Sequence, residues 1–373
     1  MDQGFVRALA AVLSASVAAL VLTACAPPEP VRLGFIGGLS GRVADLGEAG
    51  RNGFLLAVEE ANAKGGIGGQ KIETLVRDDA QSADQARHAT GELVAAKVAA
   101  IIGPVTSAMA EPVLAVATPA GIPVISPTVT TAKLTGIDDL FLRVISDTNE
   151  YSALSARHHF QQNGVRKVAA VLDIRNRAYT EAWLSGFRST FSGLGGTLTS
   201  ETPFESGDAG DYRALVTTAL REKPDALLII ASAVDTARIA QQLPEGGPRP
   251  RLIGVEWAST ERLIELGGKA VEGLAVTQYF DRNDSSPAYQ QFQKGYEARF
   301  RSPPGFASVA AYDATRAVIE ALSRGGKAPL RQTLIEGGPF TGAQQPVRFD
   351  RFGDARRDAF ITVVRDGRFV RLD

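Results

Sequence analysis

The sequence predicts an α/β protein made of two doubly wound lobes, each built on a parallel sheet. Three observations carry this. Short apolar runs stopped by Gly or Pro recur along the chain, as suits strands buried on both faces of a parallel sheet. Segments with helical spacing separate them, and this alternation runs through twice, once in each half. The chain also has 373 residues, more than the ~100–200 of a usual single domain.

The elements follow in order. Residues 31–37 form the first strand, and Gly38-Leu39-Ser40-Gly41 a turn. A helix over 46–64 places Phe54, Leu55, Val58 and Ala61 on one face. The glycines of Gly65-Gly66-Ile67-Gly68-Gly69 follow that helix and open the strand 71–77, so they read as a helix end and turn. A phosphate cradle would follow a strand and open a helix. Asp78-Asp79 has no histidine near it and reads as capping of the helix 82–97 rather than as a metal pair. Strand 98–102 stops at Gly103-Pro104, helix 105–118 carries Met109, Val113, Leu114 and Ala117 on one face, and strand 122–125 stops at Ser126-Pro127. Strand 140–144 and helix 151–163, opened by Ser146-Asp147-Thr148, close the first half.

The second half repeats the pattern. Strands are expected at 168–172, 198–203, 226–230, 251–254 and 271–277, with helices at 179–194, 211–220, 235–243 and 259–266. The last third breaks the rhythm. Helices 287–300, 306–322 and 329–335 are followed by β segments 347–350, 360–365 and 368–372, the last two joined by an Asp366-Gly367 hairpin turn. Such a tail predicts that the chain crosses back to complete both lobes.

The first residues stand apart. Arg7 precedes an apolar run over 8–22, short for a membrane span and long enough for a signal peptide core. It ends in Leu22-Thr23-Ala24-Cys25, which resembles the bacterial lipoprotein signal. Residues 1–24 are therefore expected to be a signal peptide, and 25–30 a lipidated Cys25 with a Pro-rich tether. Cys25 is the single cysteine, so no disulfide is expected. Lys+Arg 40 against Asp+Glu 41 is balanced, which gives no support to nucleic acid or an anionic membrane surface as a partner.

Parallel sheets bind ligands at the carboxyl ends of their strands. In the first half those ends carry Ser107, Thr128 and Thr130, with Ser107 near a helix start that favours an anion. Hydroxyls there equally serve as helix caps. In the second half they carry Tyr179, then Glu256 beside Trp257. A carboxylate in a poorly hydrated cleft holds a cation; a solvated loop Glu is the plain reading of the same residue. Together these groups outline an α-amino acid. The three histidines, His88, His158 and His159, fall within helices without metal-ligand spacing, and no nucleophilic triad has its parts. No enzyme, metal or cofactor is expected.

These residues bring a family into view. Gly34 to Gly41, Asn62-Ala63-Lys64-Gly65-Gly66-Ile67, Ile102-Gly103 through Ser107, Ile125-Ser126-Pro127 through Thr130, Tyr179, Tyr312-Asp313-Ala314, and Phe349-Asp350 with Gly353-Asp354 occur in order. In this the chain resembles the leucine/isoleucine/valine-binding proteins of ABC transporters, the type I periplasmic binding protein fold, from about residue 31 to its end. The resemblance implies two lobes, 31–145 plus 278–352 and 146–277 plus 353–373, joined by a hinge around a central ligand cleft. It implies that Ser107 and Thr130 bind a carboxylate, that Glu256 pairs with an ammonium, and that Ser40, Leu46, Thr128, Tyr179, Trp257 and Phe306 complete the site. Leu46 replaces an aromatic wall common in amino-acid binders, and Trp257 or Phe306 is expected in that space. Gln81 and Thr106 occupy the places of a disulfide found in enterobacterial members.

The function expected is that of a monomeric, lipid-anchored, extracytoplasmic protein of the cell envelope that delivers an amino acid-like solute to an ABC permease. Two alternatives stay open: the same fold binding an aromatic or organic acid or a short amide, or a sensory or envelope protein without a permease.

Overall fold

The computed structural model describes residues 29–207, 211–244, 249–326 and 328–372. The expected signal peptide and Cys25 lie outside the described residues. The first sheet is parallel, in the order β2-β1-β3-β4-β5, with β1 Val31–Gly37, β2 Ile72–Asp78, β3 Ala100–Ile102, β4 Val124–Ser126 and β5 Phe141–Arg143. Helices α1 Ala44–Ala63, α2 Ala83–Ala95 and α3 Ala110–Ala117 cover it. β1 shows why a two-sided strand reads as an apolar run. Leu33 and Phe35 enter the core under α1, while Ile36 enters the one under α2 and α3.

The second sheet has the order β12-β11-β10-β9-β8-β6-β7. Its parallel part is β6 Lys167–Asp173, β7 Thr197–Phe204, β8 Ala226–Ile230, β9 Arg251–Gly254 and β10 Ala275–Gln278. α4 Thr148–Gln161, α5 Arg177–Gly193, α6 Tyr212–Ala219, α7 Ala233–Ala240 and α8 Glu261–Gly267 flank it. β11 Phe360–Arg365 joins β10 antiparallel, and β12 Arg368–Arg371 joins β11 antiparallel. Asp366 and Gly367 both take positive φ in the hairpin turn between them.

Helices α9 Pro287–Phe300, α10 Phe306–Ser323 and α11 Leu330–Gly337 return to the first lobe. α10 lies so close to α1 that a Cβ on Gly53 would stand 2.0 Å from Ser308 O. Tyr312 Oη fastens the pair by donating to Glu60 Oε2 at 2.6 Å.

The chain passes between the lobes three times, after β5, after β10 and before β11. Arg357, in the third passage, ties all three. Its Nε donates to Val144 O at 2.6 Å, its Cζ lies 5.2 Å from the centre of the Tyr279 ring, and its Nη2 pairs with Asp313 at 2.8 Å. A second ion pair, buried Arg143 with half-buried Asp354 at 2.7 Å, braces the same region.

Local differences from the expected elements have physical causes. The helix expected over 105–118 starts late: Val105 and Thr106 continue the loop, Ser107–Met109 is a 3-10 turn, and only then does α3 begin. The segment 347–350 forms no strand. It makes single bridges, Phe340 to Val347 and Phe349 to Ala355, because Asp350 Oδ1 turns the chain by accepting from Phe352 N and Asp354 N. Asp78 and Asp79 do not cap α2. Asp78 Oδ1 accepts from Leu39 N and Ala80 N, and Asp79 Oδ1 from Gln81 N, while Ser82 takes the cap. Ala80 and Gln81 adopt positive φ, which turns the chain one step before the helix begins.

Candidate ligand site

The carboxyl ends of the parallel strands in the two sheets face each other. β3 leads into Ser107, β4 into Thr128 and Thr130, β6 into Asn176 and Tyr179, and β9 into Glu256 and Trp257. Between them is a small cavity lined by residues from both sheets' strand ends. The lobes meet around it. Thr131 Oγ1 donates to Ala178 O at 2.7 Å, Ala108 N to Asn176 Oδ1 at 3.0 Å, and Thr260 Oγ1 to Asp45 Oδ2 at 2.8 Å. Arg42 Nη2 reaches Asp235 Oδ1 at 3.1 Å.

Glu256 opens a 3-10 turn, Glu256–Ala258, straight after β9. That placement carries its carboxylate into the interior, where it is 5% exposed. Trp183 Nε1 donates to Oε2 at 3.0 Å. The hydroxyls of Tyr179 and Thr130 lie near the same carboxylate, short of formed hydrogen bonds, and favour its charged form. Burial outweighs them and pushes the Glu256 carboxyl up to about 7. Four buried polar atoms on this cavity have no hydrogen-bond partner among the described residues: Thr130 Oγ1, Tyr151 Oη, Tyr179 Oη and Glu256 Oε1. Buried polar groups are nearly always paired within a protein. Four unpaired ones on a single cavity mark a surface shaped for a polar guest.

Eight residues singled out from the sequence line the cavity: Leu46, Ser107, Thr128, Thr130, Tyr179, Glu256, Trp257 and Phe306. Their chemistry differs. Thr128 Oγ1 donates to Val105 O at 2.6 Å, and Ser107 Oγ accepts from Thr131 N at 3.3 Å, so both hydroxyls also hold the loops in place. Leu46, Trp257 and Phe306 form apolar wall, and the Trp257 ring meets Tyr179 edge-on at 5.6 Å. Ser40 does not line this cavity. It borders a neighbouring groove with Arg42, Gln81, Asp173 and Asp235, and that groove shares Asn176 and Trp257 with the cavity. At the places of the enterobacterial disulfide, Thr106 Oγ1 donates to Gln81 Oε1 at 3.0 Å.

Sequence reasoning missed Tyr151, Asn176, Tyr279 and Ile145, all on the cavity wall. Tyr279 directly follows β10, so the strand-end rule finds it once the strand is placed a few residues later than 271–277. Asn176 lay within the expected turn and carried no signal of its own. Among the described residues no group of three or more His, Cys, Asp or Glu side chains could hold a metal ion. His159 is buried and pushed down to about 3 by that burial and by His158 and Arg251. His88 pairs with Glu92 on the surface.

The sequence description of the family "periplasmic binding protein" matches residues 30–368. The Leu/Ile/Val-binding protein BraC3 of Rhizobium johnstonii is 27% identical over 93% of this chain and 95% of its own. Among solved structures, a leucine-binding protein of Thermotoga maritima superposes with a TM-score of 0.85 at 25% identity, covering 92% of this chain and 98% of the other. An ABC transporter solute-binding protein of Rhodopseudomonas palustris in complex with 3,4-dihydroxybenzoic acid gives 0.81 at 24% identity, over 92% and 96%, a likeness of fold. The chain belongs to the periplasmic binding protein family, of type I, a non-enzymatic class of periplasmic solute-binding proteins that includes the Leu/Ile/Val-binding proteins.

Proposed function

We propose that this chain captures an amino acid between its lobes and delivers it to an ABC permease. One observation carries the reading: the half-satisfied carboxylate of Glu256, buried beside the unpaired hydroxyls of Thr130 and Tyr179. A buried carboxylate is costly alone and favourable against a cation that completes its hydrogen bonds. An α-ammonium at Glu256, with the α-carboxylate toward Ser107 and Thr130, gives each group a partner. Lobe closure then hides the ligand from water and presents one surface to the permease. Lipidation at Cys25 would hold the protein at the membrane near that permease, and residues 31–145 plus 278–352 and 146–277 plus 353–373 act as the moving lobes.

Titration calorimetry on the soluble domain from Pro27 tests this, with L-amino acids, aromatic acids and amides as probes. Binding of L-amino acids that weakens by about a hundredfold in Glu256→Gln supports the reading. Equal affinity in that variant would falsify it. A second reading, an aromatic acid, draws on the ring-rich wall of Tyr151, Tyr179, Trp257, Tyr279 and Phe306 and on the palustris protein with its dihydroxybenzoic acid. It expects benzoate-type acids to bind while amino acids do not.

A further inference from the structure

Tyr151 stands in the first turns of α4, just past the first passage between the lobes, with its ring fully buried and its face on the cavity. Its hydroxyl has no partner among the described residues. The polar neighbour on its protein side, Ser146, is already engaged: Ser146 Oγ donates to Arg357 O at 3.2 Å and accepts from Arg357 N at 3.0 Å. Of the other two phenols on this cavity, Tyr179 faces the Glu256 carboxylate, and Tyr279 is satisfied internally and donates to Phe306 O at 2.8 Å. Ser146 lies close to the phenol without a formed hydrogen bond to it, so the Tyr151 O–H stays available to whatever occupies the cavity.

The surroundings sharpen that demand. Ile145, Tyr279 and Phe306 make the remaining wall apolar or internally paired. An aliphatic side chain laid against this site would seal the hydroxyl away from water without a partner. A side chain with a hydroxyl or amide oxygen would accept from it. Sites that hydrogen-bond their ligand reject the analogue that lacks the acceptor more strongly than apolar pockets reject a change of size.

We propose that Tyr151 is a specificity-determining residue of this cleft, donating to the ligand's side chain, so that the cleft prefers amino acids with hydroxyl or amide side chains over branched aliphatic ones. The proposal rests on the amino-acid reading of the site at Glu256. It separates this chain in ligand class from relatives named for leucine, isoleucine and valine.

The test is calorimetry on wild type and Tyr151→Phe with two pairs of near-equal size, L-threonine with L-valine and L-asparagine with L-leucine. Wild type should bind the polar member of each pair about tenfold or more tightly. Tyr151→Phe should abolish the preference, mainly by weakening the polar member. The substitution removes an oxygen that has no protein partner, so the unliganded variant should unfold at the wild-type temperature or above it. A wild-type preference for valine and leucine overturns the proposal. So does equal weakening of all four in the variant, which would place the hydroxyl on the common ammonium or carboxylate, and so does no change at all. Binding of benzoate with none of the four amino acids would instead defeat the reading at Glu256 and take this proposal with it.

Discussion

Arg42, on the turn after β1, donates through Nη2 to Asp235 Oδ1 at the start of α7, 193 positions along the chain and in the other lobe. The same guanidinium reaches Gly207 O at 2.9 Å and Tyr212 Oη at 3.1 Å. Asp235 is buried and also accepts from Ser232 Oγ and Tyr212 Oη. Truncating Arg42 therefore leaves Asp235 with partners inside its own lobe while removing a latch across the cleft. We expect Arg42→Ala to fold normally and to release ligand faster, weakening Kd by about 1–2 kcal/mol, or roughly 5–30-fold. Stopped-flow dissociation together with calorimetry reads this directly; an unchanged off-rate would mean that the contact does not hold the closed form.

Glu256 gives a pH signature. Its carboxyl is raised from 4.5 to about 7 in the folded protein, so the unfolded chain loses that proton first. The stability associated with it is present below about 4.5 and is lost as pH rises through 7, by up to about 3 kcal/mol. Asp79, raised to about 6, acts in the same direction. His159, held near 3, acts in the opposite one and adds stability as pH climbs toward 6.5. The difference between wild type and Glu256→Gln isolates the carboxyl. Urea denaturation of the unliganded forms should show the variant gaining on wild type between pH 5 and 8. An ammonium-bearing ligand should release a proton on binding and tighten over the same range, which calorimetry in two buffers measures.

The contact between Thr106 and Gln81 offers a covalent test. Their side chains meet at 3.0 Å. Gln81→Cys combined with Thr106→Cys should oxidise in air and raise stability by about 2–4 kcal/mol, with the gain removed by reductant. Thiol titration and melting curves with and without reductant give the answer. Two thiols that persist under oxidising conditions would mean that the backbone approach is wrong for a disulfide.

Gly53 sits where α1 crosses α10, and an added methyl would stand 2.0 Å from Ser308 O. Backbone cannot move aside as a flexible side chain can. Gly53→Ala should cost about 1–3 kcal/mol by forcing the two helices apart. Gly91, with open space around it on α2, is the control: Gly91→Ala should be neutral or stabilising, by up to about 1 kcal/mol.

The alternation of sheet and helix was legible because strands buried on both faces, such as β8 with every residue buried, read as apolar runs. Direction was not. β11 reads as another mostly apolar run, and nothing in its pattern says that it runs antiparallel to β10. The strand-end rule brought Ser107, Thr130, Tyr179 and Glu256 to one cavity because turns after parallel strands have little freedom in where they point. Tyr151 escaped it. It lies on a helix, with helical neighbours, and an aromatic there reads as ordinary core; only the path of the chain between the lobes brings it to the cavity. Asp78-Asp79 shows the reverse limit. The pair promised a helix cap, and two positive-φ residues after it handed that role to Ser82.

The return of α10 onto α1 has a consequence for the order of synthesis. The face of α1 around Gly53 and Glu60 stays open until the chain has been made beyond Ser323, some 260 residues later. The sheet of the second lobe likewise waits for its β11–β12 edge at the very end. Neither lobe can mature from a contiguous nascent stretch. A chain wired in this way stays unfinished while it is being made, and can be threaded across a membrane before it acquires its shape.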